Sequence, residues 1–131
     1  MSATAATSSA SASVPVALVV PIRTISALNA REHPMQRARR VKRERWNTAA
    51  VLHGHPKPEL PCVVTMTRVG PSNGLDSDNL VSSCKGVRDQ IAAWLGIDDK
   101  SPLVWWMCEQ RRGKEWAVEV SIVPREAVEV V

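Results

Sequence analysis

The chain has 131 residues, with 17 Lys and Arg against 13 Asp and Glu, a net charge of +4 and a sequence pI near 9.3. That length suits one domain of ordinary size, and a hydrophobic share of 44% beside a charged share of 23% belongs to a globular chain with a real core. No apolar run approaches the roughly 20 residues that a bilayer crossing needs, so neither a membrane span nor a membrane partner is expected. There is no Phe and no Tyr, which leaves Trp46, Trp94, Trp105, Trp106 and Trp116 as the aromatic bulk.

Residues 1–13 are almost pure Ala, Ser and Thr. They lack the basic and apolar regions of a secretion signal and are expected to form a disordered tail. Val14 to Val20 is short, apolar and β-branched, stops at Pro21, and reads as a strand. Asn29 is placed to cap a helix from about Ala30 to Leu52, with Pro34 either in its first turn or at its true start. Its basic residues surround a thin apolar set of Met35, Ala38, Val41, Trp46, Ala49 and Leu52. His53 to Pro61 carries three prolines and a glycine and reads as a loop, Cys62 to Val69 as a second strand, and Gly70 to Gly74 as a turn.

Asp76 to Leu95 has a clear helical period. At 100° per residue, Leu80, Cys84, Val87, Ile91 and Trp94 form one stripe, and Asp78, Ser82, Lys85 and Asp89 lie on the opposite side. Gly96 is the expected terminator. Leu103 to Gln110 and Glu115 to Val123 read as strands joined by a hairpin turn over Arg111 to Lys114. In the last strand Trp116, Val118, Val120 and Ile122 alternate with Glu115, Ala117, Glu119 and Ser121, so one face is buried. The expected architecture is a single α+β domain over 14–123, in the order β-α-β-α-β-β, with helices packed on a mixed sheet and a short tail at 124–131.

Charge is segregated along the chain. Between Arg31 and Arg45 seven basic residues face two glutamates, a local charge of +5, and Arg31, Arg37, Arg39, Arg40 and Arg43 are the expected contacts to a polyanion. All five aspartates, Asp76, Asp78, Asp89, Asp98 and Asp99, fall in one later stretch. Carboxylates repel phosphates unless a cation stands between them, so such a block has two readings. Either it is a set of caps and turn residues, or it holds a hard divalent cation for phosphodiester hydrolysis, with Lys85 stabilising developing charge. A straight helix of about 18 residues, roughly 27 Å long, keeps the two aspartate pairs apart. A shared site therefore needs a break near Gly86 or Gly96, or a chain that folds back.

The strings Leu75 to Leu80 (LDSDNL), Lys85, Arg88–Asp89 and Leu95 to Asp99 (LGIDD), with Pro21, Ser26 and Asn29 upstream, resemble the RusA family of Holliday junction resolvases, including its phage and prophage members. The resemblance spans about Val14 to Val123. It implies a homodimeric, Mg²⁺-dependent endonuclease that cuts four-way DNA junctions in recombination and repair, in the cytoplasm of a bacterium or a phage-infected host, with no nucleotide cofactor. The family's metal-binding aspartates fall on Asp76, Asp78 and Asp99, with Asp98 adjacent. Its catalytic Lys position is occupied by Ser82, and the role passes to Lys85 one turn later. The alternative is a non-catalytic DNA-binding or regulatory protein on the same fold.

The other polar residues carry less. His33, His53 and His55 lack companions at metal-ligand spacing, and Cys62, Cys84 and Cys108, odd in number and widely spaced, read as buried thiols of a reducing compartment. Of Trp105 and Trp106, strand alternation buries one and leaves the other to stack on unpaired bases.

Overall fold

A computed structural model of the chain describes residues 15–28 and 31–125. The expected tail at 1–13, the Asn29 cap and residues 126–131 lie outside the described residues. Four strands and three helices follow one another as β1 (Val16–Val20), α1 (Pro34–Leu52), β2 (Cys62–Gly70), α2 (Ser77–Ser83), α3 (Lys85–Leu95), β3 (Val104–Arg112) and β4 (Ala117–Pro124). This is a single small α+β domain, with the helices packed on a mixed sheet as expected.

The sheet order is β1-β4-β2-β3. β2 runs parallel to β3 and antiparallel to β4, and β4 runs antiparallel to β1. The hairpin expected at Arg111–Lys114 does not form. β3 and β4 are separated by β2, and the connection crosses the end of β2, where Gly113 N–H donates to the Gly70 carbonyl at 3.0 Å. The cause is the composition of β2, whose Cys62, Val63, Val64, Met66 and Val69 are buried on both faces and demand a central position. Alternation in β3 and β4 reveals which face is wet and is silent about which strand lies alongside.

The core lies between the sheet and the helices: Leu18 and Val20 of β1, Val64 and Met66 of β2, and Val118, Val120 and Ile122 of β4 meet Leu52, Cys84, Val87 and Ile91. The stripe predicted on the second helical segment is thus buried, with Trp94 packed at its edge. Pro124 closes β4 and Arg125 N–H donates to the Pro61 carbonyl at 3.0 Å, so the ordered domain extends past the expected boundary at 123.

α1 begins at Pro34, not Ala30. His33 caps it by accepting Met35 N–H on Nδ1 at 3.2 Å, while Gln36 Oε1 accepts the His33 N–H at 3.3 Å. Its inward face is not the apolar set. Glu44, Thr48 and Leu52 are the buried residues, whereas Met35 and Trp46 are 60% and 74% exposed. Gly86 explains the inversion: a Cβ there would overlap the Glu44 side chain, so α3 approaches α1 at its carboxylate. Arg40 makes that burial tolerable, with Nη1 2.9 Å from Glu44 Oε2 and its other nitrogens on both oxygens of Glu32.

Candidate active site

The loop before α2 is fastened to β3 by a reciprocal amide pair. Leu75 N–H donates to Gln110 Oε1 at 2.8 Å and Gln110 Nε2 donates to the Leu75 carbonyl at 2.7 Å. Asp76 then caps α2, accepting the Asn79 N–H at 3.0 Å and Asn79 Nδ2 at 2.8 Å on the same Oδ1. The Asn79 backbone N–H, followed by its side-chain amide, holds the Asp76 carboxyl below the usual carboxylate range. Asn79 is itself buried and accepts a short hydrogen bond from Ser26 Oγ. The Ser26 and D-x-D-N-L motifs, 53 residues apart, therefore form one network.

The long helix breaks at Cys84, whose φ of −93° and ψ of 0° separate α2 from α3. The cause is local: Ser82 and Ser83 offer side-chain bonds that compete with the helix. Ser83 Oγ donates back to the Leu80 carbonyl at 2.7 Å, and Ser82 Oγ accepts Ala27 N–H at 3.2 Å. The break falls two residues before Gly86, one of the two places where it was expected. Gly96 ends α3 in the left-handed conformation, φ 75°, and the chain then turns back along α3. Trp106 Nε1 donates to the Asp99 carbonyl at 3.0 Å, Arg88 Nη2 donates to it at 3.3 Å, and the same nitrogen lies 3.6 Å from Asp99 Oδ2.

Break and return together form a cleft of about 440 Å³ lined by Leu28, Asp78, Val81, Ser82, Lys85, Arg88 and Asp99. Asp78 and Asp99, 21 residues apart in sequence, both line it. Asp76 and Asp98 do not line it: Asp76 is the cap, and Asp98 Oδ1 accepts Lys100 N–H at 2.9 Å, the first cause of its lowered pKa. Lys85 lines the cleft, is 71% exposed, and pairs with Asp89 Oδ2 at 3.2 Å. Arg88 Nε is buried with no hydrogen-bond partner among the described residues, and its guanidinium lies over the Trp106 ring at 5.3 Å.

Among the described residues no three His, Cys, Asp or Glu side chains gather into a metal-holding group. Two carboxylates on one cleft still fit Mg²⁺, which keeps several waters and commonly takes one or two protein carboxylates plus substrate oxygens.

Arg31, ahead of α1, and Arg39 and Arg43 on it are exposed, and Arg37, 48% exposed, lies 4.0 Å from Glu32. Arg40 stands apart from them, 13% exposed and engaged by two glutamates. A wider groove of about 820 Å³ runs along this helix, with Arg37, Lys42, Arg45 and Trp46 on its walls. Sequence reasoning missed Trp46 as a surface residue; the signal was its place directly after Arg45 in a helix too charged to bury a wide stripe. Trp105 is the exposed member of its pair and lies under Arg125 at 4.1 Å, while Trp106 packs on the core and carries Asp99.

No helix among the described residues is long and apolar enough to cross a membrane. Compared with protein-family models and with curated proteins, the chain matches none.

Proposed function

We propose that the chain is a metal-dependent phosphodiesterase acting on branched DNA, a junction endonuclease similar to the RusA family and homodimeric like it. The observation that carries this reading is that Asp78, Asp99, Lys85 and Arg88 all line one cleft.

In this reading Asp78 and Asp99 hold Mg²⁺. When bound, the ion would supply charge compensation for the phosphate and Lewis acidity at the scissile bond. Arg88 and Lys85 line the same cleft, where a fixed cation counts most as the phosphate oxygens gain negative charge. Ser82 fixes the 26–28 loop at the rim, and Asp76 fixes the start of α2, so both act by positioning. Arg31, Arg37, Arg39 and Arg43 offer phosphate contacts, and Trp46 among Arg37, Lys42 and Arg45 offers a platform for an unstacked base.

The second reading, a non-catalytic DNA-binding protein on this fold, is favoured by Asp76 acting as a cap, Asp98 as a turn residue, and by the Lys85–Asp89 pair. Nicking of a synthetic four-way junction with Mg²⁺, against binding alone in EDTA, separates the two. Asp78→Asn and Asp99→Asn should each lower cleavage by about a hundredfold or more while junction binding holds or tightens, because a carboxylate facing phosphate is removed. No Mg²⁺-dependent nicking by the unmodified chain would sink the enzyme reading. Asp76→Asn keeps the cap and should cost less than either; an equal loss would place Asp76 among the ligands.

A further inference from the structure

β2 ends on a buried cation that no carboxylate answers. Arg68 is 6% exposed, and its Nε and Nη2 both donate to the Thr24 carbonyl, at 3.2 and 3.0 Å. Its guanidinium lies over Trp116 at 4.8 Å, and Arg23 is 4.6 Å from the same ring. Among the described residues no acidic side chain pairs with Arg68. Burial is the main cause pulling its pKa down, and the charge of Arg23 adds to it.

Arg68 also lines a cleft of about 260 Å³, bounded by Arg111, Arg112 and the Gly70–Gly74 turn. Arg111 is shared with Glu119, whose Oε1 lies 3.2 Å from its Nε, whereas Arg112 is exposed and has no ion pair among the described residues. Among the described residues no carboxylate lines the cleft, and Arg68 and Arg112, two register positions apart on the same sheet face, leave it cationic. The wall is built to stay in place. The Gln110–Leu75 clamp holds the turn, and at Gly74, φ 97°, a Cβ would meet Gln110 Oε1 at 2.9 Å. Thr24 takes Nε and Nη2 of Arg68 and fixes that charge in the wall, so the uncommitted fork at the cleft is that of Arg112, the geometry that grips tetrahedral oxyanions in pairs of hydrogen bonds. The volume is below the roughly 300 Å³ at which pockets for whole small molecules begin, so it admits one phosphate group rather than a nucleotide.

We propose that this cleft is a phosphate site, in which Arg68 and Arg112 hold a single phosphate group against the 70–74 turn. It takes either a phosphodiester of a nucleic-acid backbone or a free phosphate ester. The proposal needs neither the aspartates nor a metal, so it stands or falls apart from the nuclease reading.

The test has two arms, both without divalent metal. In the first, backbone amide NMR spectra of the whole chain are followed as inorganic phosphate replaces chloride at constant ionic strength. Saturable shifts at Gly70 and Gly74 are expected, weakened about tenfold or more in Arg112→Gln. They should be kept in Lys114→Gln, which removes the same charge from an exposed position two residues on. In the second arm, affinity for a short DNA duplex is measured against salt in EDTA. A backbone-phosphate site predicts weaker binding and a salt slope smaller by about one in Arg112→Gln. Duplex binding unchanged beside intact phosphate shifts identifies a free phosphate ester as the source. A positive result in either arm supports the site. Arg68→Lys, which keeps the charge and loses the Thr24 anchor that fixes it, should also weaken the shifts; if it fails to fold, the Arg112 and Lys114 comparison decides. Absence of saturable shifts with unchanged duplex binding overturns the proposal, as does an equal loss in Lys114→Gln.

Discussion

Arg40→Ala tests how the buried carboxylate of α1 is tolerated. Glu44 and Arg40 expose only 4% and 13% of their side chains and lie 2.9 Å apart. Removing one member of such a pair leaves a charge in a site that cannot solvate it, typically at about 3–5 kcal/mol. Some access to water at Arg40, and the chance for Glu44 to take up a proton, set the expectation at about 2–4 kcal/mol near neutral pH. The pH dependence has a definite sign. Burial already raises the Glu44 pKa, and the Arg40 hydrogen bond is the chief influence holding it down. Without Arg40 the folded chain binds the Glu44 proton more tightly than the unfolded chain does, so stability falls as pH rises from the ordinary carboxylate pKa through the raised one. Urea unfolding followed by far-UV circular dichroism should therefore show a smaller defect at about pH 4.5 than at about pH 8. Arg40→Ala/Glu44→Gln should recover at least half of the loss. A defect under about 1 kcal/mol at the higher pH, or one equal at both, would refute the account, since an exposed pair behaves that way.

Lys85→Ala should slow junction cleavage by roughly ten- to a thousandfold with little change in binding. Ser82→Ala should spare the chemistry and cost about 1 kcal/mol of stability for the lost Ala27 bond; the reverse pattern in single-turnover assays removes Lys85 from the mechanism. Neutralising Arg39 and Arg43 together should reduce the logarithmic salt slope of duplex binding by roughly two, read by fluorescence anisotropy, and an unchanged slope makes α1 a merely solvated face. The Cys108 thiol is lowered to about 7, first by its hydrogen bond with Cys84 and also by the Arg88 charge, while Cys62 and Cys84 are buried with raised pKa values. Iodoacetamide should thus modify Cys108 alone in the folded chain, with a rate rising through about pH 7; a midpoint near an ordinary thiol value refutes that interaction.

Residue order and periodicity were enough for the element types, the α+β class, the core stripe from Leu80 to Trp94 and the Gly96 terminus, because these depend on neighbours three or four residues away or on strict alternation. The aspartate motifs and the basic stretch were legible as chemistry for the same reason: residue type and short spacing are local facts. What lay beyond them were choices among competing partners. The last two serines of α2 are held by side-chain bonds to Leu80 and Ala27 where the helix breaks at Cys84, and Trp106 and Arg88 fix Asp99 on the cleft that Asp78 also lines. The apolar residues of α1 were outcompeted for the interior by Glu44, since Gly86 offers an approach that Arg40 can neutralise. β2 took the centre of the sheet and parted β3 from β4 because it is apolar on both faces. Each of these outcomes is a balance of burial and hydrogen bonding between segments distant in the chain, and no window along the sequence contains both sides of that balance.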